Sequence, residues 1–243
     1  MKKTLTILLI LCVAAALFAS GFSVNAGGAF DLFNLKTDKA DETEIVDTFS
    51  GNGLGFDIGV QYDFSSNIMA YADFNMVFPS DFTYSKTDHD PISFKDIIKW
   101  AEESAELLTD GKVSHSLFLL DASIGAAYKF DFKPVELAVG GGAYVNLMKC
   151  SIGVTGTFGD DKVDHKEYFS FLTVGVSTLV EAKYLINDNI AVRLAVMPQI
   201  GIFSKRDIAV YNNGVEDESK AASLSGVGIS FTMPVTIGAS YSF

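Results

Sequence analysis

The chain has 243 residues, 49% of them hydrophobic and 20% charged, with 30 acidic against 18 basic side chains and a net charge of −12. So much apolar content excludes a disordered chain, and the acidic excess excludes binding to nucleic-acid phosphates. No run of 18 or more apolar residues follows the N-terminal segment, so no membrane helix is available beyond it.

The chain begins with Lys2 and Lys3, then an apolar stretch from Leu5 to Phe18 that is short for a bilayer span, then Ala19-Ser20-Gly21. That pattern predicts a signal peptide over 1–21 and a mature domain over 22–243. Cys12 follows Leu11 in the middle of the apolar run, which does not suit a lipidated first residue. Cys150 is then the only mature cysteine, so no disulfide is expected, and it falls in a predicted loop as an incidental thiol.

The mature chain alternates apolar and polar residues with a period of two, the signature of strands with different surroundings on their two faces. A first, irregular strand covers roughly 22–33. The second carries Leu54, Phe56, Ile58, Val60, Tyr62 and Phe64 on one face, and the third carries Ile68 to Phe78 with Asp73 on the other face. Before the fourth, residues 93–110 read as a helix with Phe94, Ile97, Ile98, Ala101, Ala105 and Leu108 on one side. Ser93 and Asp96 form a capping box, and Gly111 is placed to end the helix. The fourth strand spans Phe118–Phe130, the fifth Val135–Leu147, the sixth Leu172–Tyr184, the seventh Ile190–Ile202 and the eighth Val227–Phe243. Turns near 65–67, 131–134 and 186–189 are tight, whereas the connections near 35–52, 79–113, 150–167 and 204–222 are long and polar.

Alternating short turns and long loops are the plan of a transmembrane barrel. A soluble barrel would turn the apolar faces inward. The length of those faces and the glycine, serine and charge on the opposite faces favour apolar-out. An eight-stranded barrel is just wide enough for side chains to fill it, so the inner faces form a packed polar core. Centring the tight turns pairs Lys129 with Glu136 and Glu181 with Arg193, and Asp73 and Lys183 join this lumen network. Pro198 and Pro234 are expected on the outer face at similar height, with Phe203 and Met197 on the inner face. Two prolines that cannot donate to the ladder would make either two local bulges satisfied by water or the polar lumen, or a seam between the seventh and eighth strands.

The chain ends Gly238-Ala239-Ser240-Tyr241-Ser242-Phe243. A glycine followed by alternating aromatics, the last one terminal, resembles the C-terminal assembly signal of bacterial outer-membrane barrels. The mature chain resembles the small eight-stranded barrels of the OmpA, OmpX and OmpW types. That resemblance implies an all-β, eight-stranded antiparallel up-and-down barrel in the outer membrane, reached through the periplasm. It implies contact with outer-membrane lipid and recognition of Gly238, Tyr241 and Phe243 by the barrel-assembly machinery, with the barrel a monomer. Two roles are open: passive passage of small hydrophobic solutes, as in OmpW-like proteins, or an OmpX-like surface-interaction barrel whose loops meet a host surface ligand. No nucleophile elbow, phosphate loop, metal-ligand cluster or cofactor motif is present, so no catalysis and no cofactor are expected. An acyl-transferring barrel would need an apolar interior, and the inner faces carry Glu136, Glu181, Lys183 and Arg193.

Overall fold

The computed structural model describes residues 21–37, 47–86, 90–217 and 222–243. The expected signal peptide, apart from Gly21, lies outside the described residues. The strands are β1 (Phe22–Thr37), β2 (Asp47–Asp63), β3 (Ile68–Lys86), β4 (Thr109–Phe132), β5 (Val135–Phe158), β6 (Asp161–Leu185), β7 (Ile190–Val196), β8 (Gln199–Asn212) and β9 (Ala222–Ser242). Among the described residues one helix, α1 (Phe94–Glu106), precedes β4. All pairings are antiparallel and, apart from the closing one, join barrel strands that are neighbours in the chain, with β7 and β8 forming two halves of one barrel strand. Pairing of β1 with β9, from Ser23↔Ser242 to Asn34↔Phe231, closes an eight-stranded barrel.

The lower wall is apolar outside. Leu54, Phe56 and Ile58 on β2, Phe74 on β3, Val176 and Val180 on β6 and Ile237 on β9 are exposed, while Asp57, Asp73, Glu181 and Arg193 are buried. Edge-to-face or tilted aromatic pairs ring the tight-turn end: Tyr62–Phe64 at 5.1 Å, Tyr128–Phe130 at 4.9 Å and Tyr241–Phe243 at 4.9 Å. Amphipathic rings at this level suit a water–lipid boundary.

Above that wall the pattern inverts. On β1 the inner residues change from Asn25 and Asp31 to Phe33 and Leu35, while the outer ones change from Phe30 and Leu32 to Asn34 and Lys36. On β5 the inner residues change from Asn146 to Met148 and Cys150, with Lys149 and Ser151 outside. On β6 Phe171 is fully buried beside Ser170. The barrel has two storeys, with an apolar outer wall below and a polar outer wall above. Each outer face takes the polarity that matches its surroundings, and the inner face takes the reverse.

This inversion corrects the loop expectations. The 150–167 segment is not a loop but the top of the β5–β6 hairpin, paired from Ser151↔Tyr168 to Phe158↔Asp161. The 35–52 and 204–222 segments likewise contribute strand as far as Thr37, from Asp47, to Asn212 and from Ala222. Cys150 is therefore a buried strand residue. The helix also ends earlier than expected. Leu107 and Leu108 close it by donating to the Ser104 and Ala105 carbonyls, and Asp110 takes a positive φ of 55° into β4. Gly111 serves a different purpose: a Cβ there would sit 1.9 Å from the Ala105 carbonyl oxygen, so it permits close approach to the helix end.

Register differs by two residues at both tight turns. The β4–β5 turn is only Lys133-Pro134, which places Ala138 opposite Lys129 and Glu136 opposite Asp131. The β6–β7 hairpin sets Lys183 opposite Arg193 and Ala195 opposite Glu181. A two-residue slip keeps every side chain on its expected face, because the side-chain period is also two.

Candidate functional site

Arg193 is the centre of the lower lumen, 1% exposed. Its Nε donates to Glu181 at 2.6 Å, Nη1 to Asp57 at 2.7 Å and Nη2 to Asp73 at 2.7 Å. Nη1 also lies 3.4 Å from the Thr236 hydroxyl. One guanidinium thus ties β2, β3, β6, β7 and β9 together. The planar five-donor fork suits this task as a lysine ammonium would not. Gln61 donates to Glu181 at 2.7 Å and accepts from Lys183, whose Nζ also lies 3.7 Å from Glu181.

The expected Glu181–Arg193 contact is made diagonally rather than directly across the strands. The expected Lys129–Glu136 pair is not: Lys129 meets Asp63 on β2 at 2.5 Å, since the tighter turn carries Glu136 away from it. Glu136 instead lines a polar pocket at the tight-turn end with Asp63, Lys129 and Lys183. Sequence reasoning missed Asp57 and Gln61 as partners of this layer. It compared neighbouring strands only, whereas β2 and β7 meet across the lumen. The available signal was an excess of inward acids, Asp57, Asp73 and Glu181, around one inward arginine.

The mouth has a different chemistry. The Phe49 ring packs on Tyr84 at 4.9 Å, Phe169 at 4.6 Å, and Phe82 and Phe171 at 5.7 Å each. Phe94 of α1 stacks on Phe82 at 5.1 Å and is buried, and Ile98 packs on the same cluster. A cavity of 230 Å³ remains among Phe49, Phe82, Tyr84, Cys150 and Phe169, with Glu167 and Arg206 also in its wall. The expectation of an interior polar throughout therefore fails at the mouth, where aromatic rings dominate beside Glu167 and Arg206. Of the expected helix face, Phe94 and Ala105 are buried, Ile97, Ile98 and Ala101 are half-buried, and Leu108 lies beyond the helix against Gly156.

The helix is fixed at its start by the expected capping box. The Asp96 N–H donates to Ser93 Oγ at 3.1 Å and the Ser93 N–H to Asp96 Oδ2 at 3.3 Å. The Ser93 hydroxyl, then its backbone N–H, hold the Asp96 carboxyl below the usual carboxylate range. A depressed folded pKa gives stability that is present above the unfolded value and lost as pH falls through the folded one. Ser93→Ala should lower helix stability by about 1 kcal/mol at neutral pH. Hydrogen exchange of the α1 amides should show the difference shrinking below about pH 4, as Asp96 protonates in either protein.

Pro198 and Pro234 do lie at the same height. Thr232 pairs with Gln199 and Val235 with Val196, leaving 233–234 opposite 197–198. Only the Met197 N–H to the Pro234 carbonyl, at 2.9 Å, bridges this gap. Pro234, however, falls on the inward face with Thr232 and Thr236, not outside. Phe203 faces outward because the ladder is irregular between Gly201 and Phe203, while Met197 is buried as expected. At the C-terminus, Tyr241 and Phe243 are on the outer wall, and the Phe243 N–H bonds the Phe22 carbonyl at 2.9 Å. A Cβ on Gly238 would lie 2.1 Å from the Ala26 carbonyl oxygen, so glycine allows β1 and β9 to close.

Comparison with known proteins places this architecture. The family model described as outer membrane protein beta-barrel domain matches residues 4–243. No curated protein sequence matches the chain. Among solved structures, the outer membrane protein OprG from Pseudomonas aeruginosa aligns over 92% of this chain and 96% of its own, with 13% identity and a TM-score of 0.52. A major outer membrane protein from Thermus thermophilus aligns over 90% and 99%, with 15% identity and a TM-score of 0.49. Ail, the attachment invasion locus protein of Yersinia pestis, aligns over 93% and 100%, with 12% identity and a TM-score of 0.43.

Proposed function

Because the chain belongs to the outer membrane protein β-barrel domain family, we propose that it takes small apolar solutes into the chamber beneath α1, as the first step of their passive passage across the outer membrane. The apolar chamber at the mouth carries this reading. A pocket walled mainly by aromatic and aliphatic side chains, with Glu167 and Arg206 at its edge and one helix as its roof, suits an uncharged ring or short alkyl group. The Arg193 layer below blocks a straight aqueous path, so the solute leaves sideways, through the thinly bonded wall at Pro198 and Pro234. The barrel, folded into liposomes, should accelerate uptake of a small hydrophobic dye. Phe169→Glu, which puts a charge in the chamber wall, should abolish the acceleration. Equal uptake by the two folded proteins would remove the chamber from the account.

The exit is tested separately. Pro198→Val with Pro234→Val restores two backbone donors and should slow dye uptake without weakening dye binding. Unchanged uptake would leave the chamber as a binding site without a lateral exit.

A second reading has its own observation. The β5–β6 hairpin rises well above the apolar wall, and Tyr168 and Tyr211 pack edge to face there at 5.4 Å beside a groove that includes Lys166. An exposed aromatic pair of this kind suits contact with a surface ligand. Under either reading α1 faces the outside, and a tag inserted at Glu103 should be labelled on intact cells. Tyr241 and Phe243, on the outer wall at the tight-turn end, remain our proposed contact for the assembly machinery.

A further inference from the structure

The lumen holds a second acidic layer that Arg193 does not serve. Asp31 on β1 and Asp121 on β4 are 0% and 1% exposed and lie within electrostatic reach of each other. Among the described residues neither forms an ion pair. A chain of hydrogen bonds fixes the two at one level. Gln199 Nε2 donates to Asp121 at 2.8 Å, the Thr232 hydroxyl donates to Gln199, and the Met233 N–H donates to Asp31 Oδ1 at 3.1 Å.

Further oxygens converge on the same layer with nothing bonded to them. Asn75 on β3 and Asn146 on β5 are the register partners of Asp121 on either side, and both are fully buried. Asn146 Nδ2 is 3.5 Å from Asp121, which leaves its Oδ1 unpartnered, as are Asn75 Oδ1 and Asp31 Oδ2. Buried amide and carboxylate oxygens rarely go unsatisfied, and two buried carboxylates call for a cation or a proton between them. Of the buried cations, Arg193 and Lys183 are taken by Asp57, Asp73 and Glu181 in the layer below, and Arg206 stands at the mouth above, opposite Phe171.

We propose that the lumen holds one hard divalent cation of the calcium class between Asp31 and Asp121, with the amide oxygens of Asn75 and Asn146 as further ligands. Two carboxylates match a charge of two. An all-oxygen donor set, with no histidine or cysteine, selects a hard ion. Calcium tolerates an irregular shell of carboxylate and amide oxygens, whereas magnesium demands octahedral geometry and keeps its water. No three His, Cys, Asp or Glu side chains converge among the described residues, so neutral oxygens must supply the rest of the shell. The site lies below the chamber, at the height of Pro234, whose register partner is Asp31, and its test reads calcium binding and stability rather than solute uptake.

The test is calorimetric titration of calcium into the full barrel, stripped with EDTA and held in detergent, with thermal unfolding measured in parallel. The wild type should bind one calcium per barrel and melt at a higher temperature with calcium than in EDTA. The Asp31→Asn/Asp121→Asn variant keeps the shape and removes the charge. It should lose the binding and melt at the same temperature in either condition. Calcium bound equally by the double variant would assign the ion to surface acids and overturn the proposal. So would a wild type that ignores calcium and gains stability as the pH is lowered, because a shared proton would then fill the layer.

Discussion

Replacing Arg193 with alanine should destabilise the barrel more than any other single lumen substitution. Removing one partner of a buried ion pair costs about 3–5 kcal/mol, because the other charge stays buried and uncompensated. Here three carboxylates, Asp57, Asp73 and Glu181, lose their shared partner at once, and Lys183 reaches only Glu181. The expected loss is therefore at the upper end, about 5 kcal/mol. Glu181→Gln alone should cost less, because Gln61 can still hold its side chain. In the Arg193→Ala background, Glu181→Gln should recover part of the loss, since it removes one unpaired charge. Urea unfolding followed by circular dichroism is the suitable measurement, because the single tryptophan, Trp100, sits on α1 and does not report on the lumen. Additive effects in that cycle would show that Arg193 and Glu181 act independently. The same variant should begin to conduct ions, since the bolt across five strands is gone.

Phe49→Ala should have the largest effect at the mouth. The ring touches four other aromatic rings and is 3% exposed. Truncating a buried phenylalanine costs about 3–5 kcal/mol, through lost transfer energy and the space left behind. The loss should appear in the upper storey, as faster hydrogen exchange in α1 and the tops of β2 and β6, with the lower barrel protected. Lost volume at Phe49 becomes chamber volume, so the surviving folded protein should take up bulkier dyes than the wild type. A variant that loses stability yet keeps the wild-type size preference would place the solute elsewhere.

Much of the lower storey was legible in the sequence. Period-two alternation assigns Leu54, Ile58, Val176 and Ile237 to the outer wall without any knowledge of register, and the aromatic C-terminus sits where the resemblance implies. The upper storey was not legible for a physical reason. Reading every strand with one solvent outside makes the inverted segments look like polar loops, and it makes β1 look irregular, because β1 inverts between Asp31 and Phe33. The change of parity itself marks the height at which lipid gives way to water. Cross-lumen contacts were hidden as well. Arg193 meets Asp57 and Asp73 from strands that never pair with its own, and only the closed barrel brings them together.

The central claim is a barrel closed to ions below and open to apolar solutes at its mouth. One measurement on one preparation tests both halves: liposomes holding the folded wild-type barrel, with hydrophobic-dye uptake and single-channel current recorded in parallel. Dye uptake well above that of empty liposomes, with no resolved ionic current, is the expected result. Steady ionic current without accelerated dye uptake would contradict it, because it would make the Arg193 layer an open pore and the aromatic chamber an inert plug.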